Sequence, residues 1–195
     1  MERTLIANLK VGEVQKICGF VDTIRKMKRN QFIIVRDHTS KVQLYIDTKE
    51  SPEIAKIVDS LTVESTIEVI GTVVENPSVK IGGIEMLPTS INVIGLAKAG
   101  LPIASDTSLD VRLDWRFLDL RDPKNLLIFK IQTVIEHAMR EFWTQNNFIE
   151  IHSPKLMGTA SESSSELFSL DYFGQKAYLA QSPQLYKQML SLIHI

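Results

Sequence analysis

An amide and an ammonium group lie three residues apart in residues 179 to 188, which read LAQSPQLYKQ. Residues three apart share one face of a helix, so Gln184 and Lys187 can bind the same small ligand, and the charge of Lys187 suits a carboxylate. Ser182 and Pro183 are typical of a helix start, because Ser caps the first turn and Pro has no N–H to leave unpaired. A Gln and a Lys on an amphipathic helix are more often simply a solvated face, and this segment alone leaves both interpretations open.

A long amphipathic helix and a strand precede this segment. Asp122 and Pro123 are typical of a helix start, and apolar residues at spacings of three and four then predict about six turns, ending near residues 146–147. This apolar stripe consists of Leu127, Ile131, Val134, Ile135, Ala138 and Phe142. Residues 148 to 151 are predicted to form a strand that ends at Ser153-Pro154.

Five β-rich stretches occupy the first half of the chain, at residues 17–24, 31–36, 42–46, 66–74 and 84–93. Several of them alternate apolar and polar side chains, which is typical of strands. Apolar residues at helical spacing predict a short helix over residues 52–61, between the third and fourth strands. Three strands, a helix and two strands is the order of an OB-fold, a five-stranded barrel that binds single-stranded nucleic acid. Residues 96 to 108 contain Gly100 and Pro102, and their apolar residues follow neither a helix nor a strand spacing. We therefore interpret this segment as the linker.

The charge balance excludes a strong overall attraction to nucleic acid. The net charge is −1 from 22 basic and 23 acidic residues, so RNA binding must depend on local groups. One such group is the basic run at residues 25 to 29, Arg25-Lys26-Met27-Lys28-Arg29, between two predicted strands. A solvated loop explains this run equally well.

The cysteine and histidine content argues against metal and disulfide chemistry. Cys18 is the only cysteine, which excludes an intrachain disulfide and a cysteine-based zinc site, and its apolar neighbours predict a small core residue. The four histidines have no metal-ligand spacing. There is no signal sequence and no run of about 18 apolar residues, so we expect a cytoplasmic protein without membrane contact.

Four residues of the predicted barrel are candidates for RNA contact, namely Phe32, Arg36, Gln43 and Glu85. Phe32 either stacks on a base from the open side of the barrel or fills its core, and the alternation of residues leaves both possibilities open. Gln43 and Glu85 carry the donors and acceptors that distinguish bases by their edges.

The chain resembles the aspartyl-tRNA synthetases of archaeal and eukaryotic type, a family of class II aminoacyl-tRNA ligases. The resemblance covers most of residues 14 to 190, and its segments follow in the family's order: residues 114–121 (DWRFLDLR), 148–156 (FIEIHSPKL), 161–162, 166–168 and 179–188. It implies an α+β protein of two domains. Residues 1–95 would form an OB-fold anticodon-binding barrel, residues 96–121 a linker or hinge, and residues 122–195 an incomplete catalytic domain built on an antiparallel sheet.

The resemblance also implies an aspartate site made of Glu162, Ser182, Gln184 and Lys187. Glu162 would receive the α-ammonium group of the substrate. Lys187 would pair with its side-chain carboxylate, a partner that an asparagine amide does not need. Ser163 and Ser164 stand where relatives commonly carry two glycines, which narrows the backbone conformations of this loop.

An anticodon site is implied in the barrel. The family carries an aromatic residue four positions before an Arg and a Gln seven positions after it, and Phe32, Arg36 and Gln43 stand at those spacings. Glu85 resembles the family's anticodon-contacting acid. We assign these four residues and Arg25, from the basic run, to binding of the tRNA anticodon.

The implied activity is that of an aspartate–tRNA ligase, which joins aspartate to ATP as an adenylate, with Mg²⁺, and then acylates tRNA(Asp). The family dimerises, here through the helix at residues 123–147 and residues 148–156. Its motifs 2 and 3, which supply the catalytic arginines, are not found, and residues 191–195 do not resemble the family's continuation. We therefore expect a truncated chain that is inactive alone, has no identifiable catalytic residue and does not itself bind ATP or Mg²⁺.

Two other functions fit parts of the sequence. An asparaginyl-tRNA synthetase shares the architecture, but Lys187 argues against it. A free-standing OB-fold nucleic-acid-binding protein with a dimerisation helix has no need of the amino-acid pocket. Within the leading interpretation, a tRNA(Asp)-specific enzyme and one that also charges tRNA(Asn) fit the residues equally well.

Overall fold

The computed structural model describes residues 1–104, 106–159 and 167–191. The chain divides into two units, Met1–Arg116 and Phe117–Ile195. This boundary falls within residues 96–121, the predicted linker, and the limits of that linker and of the domains beside it stay a prediction.

The first unit contains a closed five-stranded barrel in the order β1-β2-β3-β5-β4. The strands are β1 (Val14–Lys26), β2 (Asn30–Arg36), β3 (Lys41–Asp47), β4 (Thr66–Glu75) and β5 (Ile84–Gly95), and helix α1 (Pro52–Ser60) lies between β3 and β4 in sequence. All pairings are antiparallel except β3 with β5. This is the OB-fold order that the sequence predicts.

Alternating apolar residues build the core of the barrel. Along β2 and β3 every second side chain is buried, including Ile33, Val35 and Leu44 at 0% exposure. Val58 of α1 is equally buried in the same cluster. Each such side chain contributes about 1.5–3 kcal/mol. The intervening residues of β2 and β3 therefore form the outer face.

Cys18 does not lie in the core, so the expectation of a core cysteine is wrong. It follows the buried Ile17 in β1, and because side chains alternate along a strand, the Cys18 side chain points outward. Its Sγ lies 3.8 Å from Glu68 Oε2. Burial and the nearby Glu68 carboxylate raise the pKa of the thiol.

Short helices follow the barrel: α2 (Leu109–Asp114) and α3 (Arg116–Asp119). The second unit contains α4 (Pro123–Gln145), strands β6 (Leu156–Met157), β7 (Ser169–Tyr172) and β8 (Gln175–Leu179), and α5 (Gln184–Ser191). The three strands form an antiparallel sheet in the order β6-β8-β7. Phe173 and Gly174 join β7 to β8 with φ angles of 48° and 78°, which suits a tight hairpin turn.

Helix α4 begins as predicted, because the Asp122 side chain accepts a hydrogen bond from Lys124 N and Pro123 follows Asp122. The strand predicted at residues 148–151 is wrong. Those residues pair with no strand among the residues that the structure describes. A strand is defined by hydrogen bonds to a neighbour, and an apolar pattern cannot supply that neighbour.

The apolar stripe of α4 faces solvent, with Ile131 50% exposed, Val134 67% and Phe142 60%. No residue of the helix is buried. A contiguous exposed apolar surface of this kind favours association.

We expect a polypeptide of residues 1–195 to self-associate through this stripe. Sedimentation velocity at several concentrations should show species larger than the monomer. Val134→Glu should weaken association, whereas Thr133→Glu, which adds the same charge at the neighbouring position outside the stripe, should weaken it less. A monodisperse monomer at every concentration would contradict the expectation.

Candidate anticodon interface and amino-acid pocket

Arg25, Phe32 and Tyr45 form a row across the outer face of the barrel. Phe32 lies opposite Arg25 on β1 and opposite Tyr45 on β3, and directly opposed residues on antiparallel strands share a face. The neighbours of Phe32, Gln31 and Ile33, point inward and are buried. Phe32 is half-buried with its ring centroid 5.6 Å from that of Tyr45. The structure thus excludes the alternative in which Phe32 fills the core.

A polar cluster of Gln43, Asn76 and Glu85 lies next to this row. Gln43 is two residues from Tyr45 on β3 and pairs with Glu85 on β5. Gln43 Nε2 donates to Glu85 Oε2 at 3.3 Å, and Asn76 Nδ2 donates to Glu85 Oε1 at 2.9 Å. Glu85 is only 8% exposed, and a carboxylate at that depth needs such partners.

Arg36 is held by other protein groups. Its Nε donates to Asp22 Oδ1 at 2.9 Å and its Nη2 donates to Glu64, while its Cζ lies 5.4 Å from the centroid of the Phe20 ring. The side chain is 11% exposed. Arg36 therefore ties β2 to β1 and to the turn before β4. Its assignment to RNA binding stays a prediction, and it would require the guanidinium to leave these partners.

The basic run at residues 25 to 29 covers the end of β1 and the turn into β2. Arg25, Lys28 and Arg29 are exposed. Lys26 differs, because its Nζ donates to Asp59 O at 3.0 Å and lies 3.5 Å from Asp59 Oδ1. Arg25, which lies opposite Phe32, is thus the exposed cation of this run that is nearest to the Phe32–Tyr45 pair in strand register.

The structure describes three of the four residues of the predicted amino-acid pocket, Ser182, Gln184 and Lys187. Ser182 Oγ accepts from Gln184 N at 3.2 Å, and Lys187 N donates to Pro183 O at 2.9 Å, so the helix start has the predicted cap. The side chains of Gln184 and Lys187 are exposed, three residues apart on α5. Glu162 lies outside the described residues. Of the described pocket residues, Ser182, Gln184 and Lys187 lie together at the start of α5.

Sequence analysis missed two residues near the proposed anticodon site, Tyr45 and Asn76. Tyr45 follows Gln43 by two residues, so the strand period alone places it on the same face. Asn76 lies in the turn between β4 and β5, and only its hydrogen bond to Glu85 reveals it.

No group of three or more His, Cys, Asp or Glu side chains among the described residues is arranged to hold a metal ion. Within the same residues, every helix is too short or too polar to span a bilayer.

Two protein families match the chain. The OB-fold nucleic acid binding domain matches residues 15–94. The class II tRNA synthetases for D, K and N match residues 108–193.

Individual relatives are also aminoacyl-tRNA ligases. The chain is 44% identical over 184 residues to the aspartate–tRNA(Asp) ligase of Pyrococcus horikoshii, covering 92% of this chain and 42% of that protein. The aspartate–tRNA(Asp/Asn) ligase of Methanopyrus kandleri gives the same identity and coverage. The chain thus spans less than half the length of these curated relatives.

Solved structures share the fold. The asparaginyl-tRNA synthetase of Pyrococcus horikoshii, complexed with asparaginyl-adenylate, superposes with a TM-score of 0.89 at 29% identity, over 98% of this chain and 45% of that one. A putative aspartyl-tRNA synthetase from Leishmania major gives a TM-score of 0.81 at 32% identity, over 92% of this chain and 37% of that one.

Proposed function

We propose that this chain belongs to the aspartate–tRNA ligase family of class II synthetases, two members of which it matches at 44% identity over 92% of its length, and that a full-length enzyme containing it attaches aspartate to tRNA(Asp). Aspartate and ATP form aspartyl-adenylate and pyrophosphate, and the aspartyl group then passes to the tRNA 3′ end with release of AMP. The single observation that carries this proposal from the structure is the outer face of the barrel, where an aromatic pair, an exposed Arg25 and the Gln43 amide lie on neighbouring strands.

We propose that residues 1–95 bind the anticodon, residues 96–121 act as a hinge and residues 122–195 contribute to the catalytic domain. In the barrel, Phe32 stacks on an anticodon base and Gln43 reads a base edge, while Arg25 meets the phosphates. This chemistry suits unstacked bases of an RNA loop.

In the second unit, the exposed ammonium of Lys187 pairs with the side-chain carboxylate of aspartate. Ser182 and Gln184 hold the substrate from the same helix start, and Glu162 receives its ammonium group. An asparagine substrate would leave Lys187 without a charged partner. The curated relatives from Pyrococcus horikoshii and Methanopyrus kandleri, each 44% identical to this chain, are both aspartate ligases, which supports the same choice.

The family uses ATP and Mg²⁺. We propose that a full-length enzyme containing this chain binds the ATP phosphates through the arginines of its motifs 2 and 3.

We also propose a cytoplasmic homodimer formed through residues 123–147 and 148–156. The exposed apolar stripe of α4 supports it. Two guanidinium nitrogens of Arg140, on α4, donate hydrogen bonds to the two carboxylate oxygens of Glu150, each at 3.1 Å. These hydrogen bonds lower the pKa of Glu150. The pair holds residues 148–151 against the helix, beside a groove of about 240 Å³.

Phe32→Ala tests the anticodon site. Loss of a stacking ring should weaken binding of the tRNA(Asp) anticodon stem-loop by about 1–3 kcal/mol. Because Phe32 lies on the outer face, the cost in unfolding free energy should stay below the roughly 3–5 kcal/mol of a core Phe. A binding titration and a thermal melt on the same variant check both values.

Phe32→Trp keeps a stacking ring and is the matched control, so it should bind close to the original chain. If Phe32→Ala destabilised the fold by the core amount and bound the loop normally, the anticodon role of Phe32 would be refuted.

A further inference from the structure

The Asn76 side chain is fixed at both ends of its amide. Asn76 Oδ1 accepts from Ser78 N at 3.1 Å, and Asn76 Nδ2 donates to Glu85 Oε1 at 2.9 Å. The backbone is also held, because Asn76 N donates to Gly83 O at 2.8 Å. The orientation of this amide is therefore unambiguous, with nitrogen toward the carboxylate.

The Glu85 carboxylate also fixes the orientation of the Gln43 amide. A carboxylate only accepts hydrogen bonds, so both amides that contact it must present their nitrogens. Asn76 occupies one carboxylate oxygen and Gln43 Nε2 occupies the other, at 3.3 Å. Gln43 is thereby held in one of its two amide orientations.

The oriented amide has one donor and one acceptor left for a ligand. Among the described residues no partner is found for Gln43 Oε1, and the side chain is half-buried on the outer face beside Tyr45. An amide turned the other way would exchange donor for acceptor. The hydrogen bonds that set its orientation therefore decide which base edge it matches.

We infer that Asn76 is a positioning residue, which fixes the Glu85 carboxylate, thereby orients the Gln43 amide and so sets the specificity of one anticodon position. This inference rests on the proposed anticodon-binding function. Glu85, at 8% exposure, accepts hydrogen bonds from both amides. Asn76 acts through this carboxylate, from the turn between β4 and β5.

Asn76→Asp tests the inference sharply. Asp retains the acceptor oxygen for Ser78 N but sets a second carboxylate against Glu85, so the turn is kept and the orienting bond is lost. The whole chain is titrated with the tRNA(Asp) anticodon stem-loop and with three loops that each change one anticodon base. We expect discrimination at one of the three positions to fall by about tenfold, the scale of one well-placed hydrogen bond.

Ser78→Asp adds the same charge to the same turn and should weaken all four loops equally.

The ratio of affinities is the readout because loss of folded protein lowers apparent binding to every loop alike. Unchanged discrimination in Asn76→Asp, with discrimination lost in Gln43→Ala, would overturn the positioning role alone. If the original chain does not distinguish the four loops, the proposed anticodon function fails and this inference with it.

Discussion

A polypeptide of residues 1–195 is expected to show no ATP–pyrophosphate exchange with aspartate. Adenylate formation builds charge on the ATP phosphates, and each preorganised donor that meets such charge is worth about 3 kcal/mol. In this family those donors come from the arginines of motifs 2 and 3. No Phe-Arg-x-Glu or Gly-x-Gly-x-Glu-Arg segment occurs in the sequence. Losing several donors together removes measurable turnover.

The exchange assay needs a positive control, for which a full-length enzyme carrying this sequence is the natural choice. Its exchange should be clear under the same conditions. Exchange above background from the pure 195-residue polypeptide would show that residues already present clamp the phosphates. The assignment of that task to motifs 2 and 3 would then be wrong.

Lys187→Ala in the full-length enzyme should raise the aspartate requirement far more than the ATP requirement. Removing one partner of a desolvated charge pair typically costs about 2–5 kcal/mol, because the other charge stays buried. That cost corresponds to a fall of roughly 30-fold to 4,000-fold in kcat/KM for aspartate. Steady-state kinetics with aspartate and ATP varied separately measure the two requirements.

Two variants on the same helix serve as comparisons. Gln184→Ala removes a neutral hydrogen bond and should cost only about 0.5–1.5 kcal/mol. Gln188→Ala changes an exposed neighbour of Lys187 outside the proposed pocket and should leave the kinetics unchanged. If Lys187→Ala kept the aspartate KM and kcat, α5 would be an ordinary solvated helix.

The sequence by itself determined the elements of the barrel and their order. Each strand and helix is encoded by spacings of two, three or four residues, which depend only on local chain geometry. The helix predicted over residues 52–61 is observed at Pro52–Ser60, and the capped start of α4 at Asp122-Pro123 is observed as well. Local signals also placed Gln43 and Phe32 on their strands.

The same spacings do not determine which strands pair or in which register. The inward or outward direction of Cys18 depends on the register of β1, and Phe32 was assigned to the outer face only once β2 was paired on both sides. The apolar pattern of residues 148–151 likewise resembles that of a strand, but it does not identify a second strand with which these residues could pair.

Only the tertiary structure decided what the polar groups do. Arg36 meets Glu64 across 28 residues, and Gln43 meets Glu85 across 42. Such contacts arise where barrel closure brings distant strands and turns together, and a single sequence carries no local period that reports them. For this reason Arg36 is found tying strands together, and Asn76, an ordinary turn residue in the sequence, is found beside the proposed reading site.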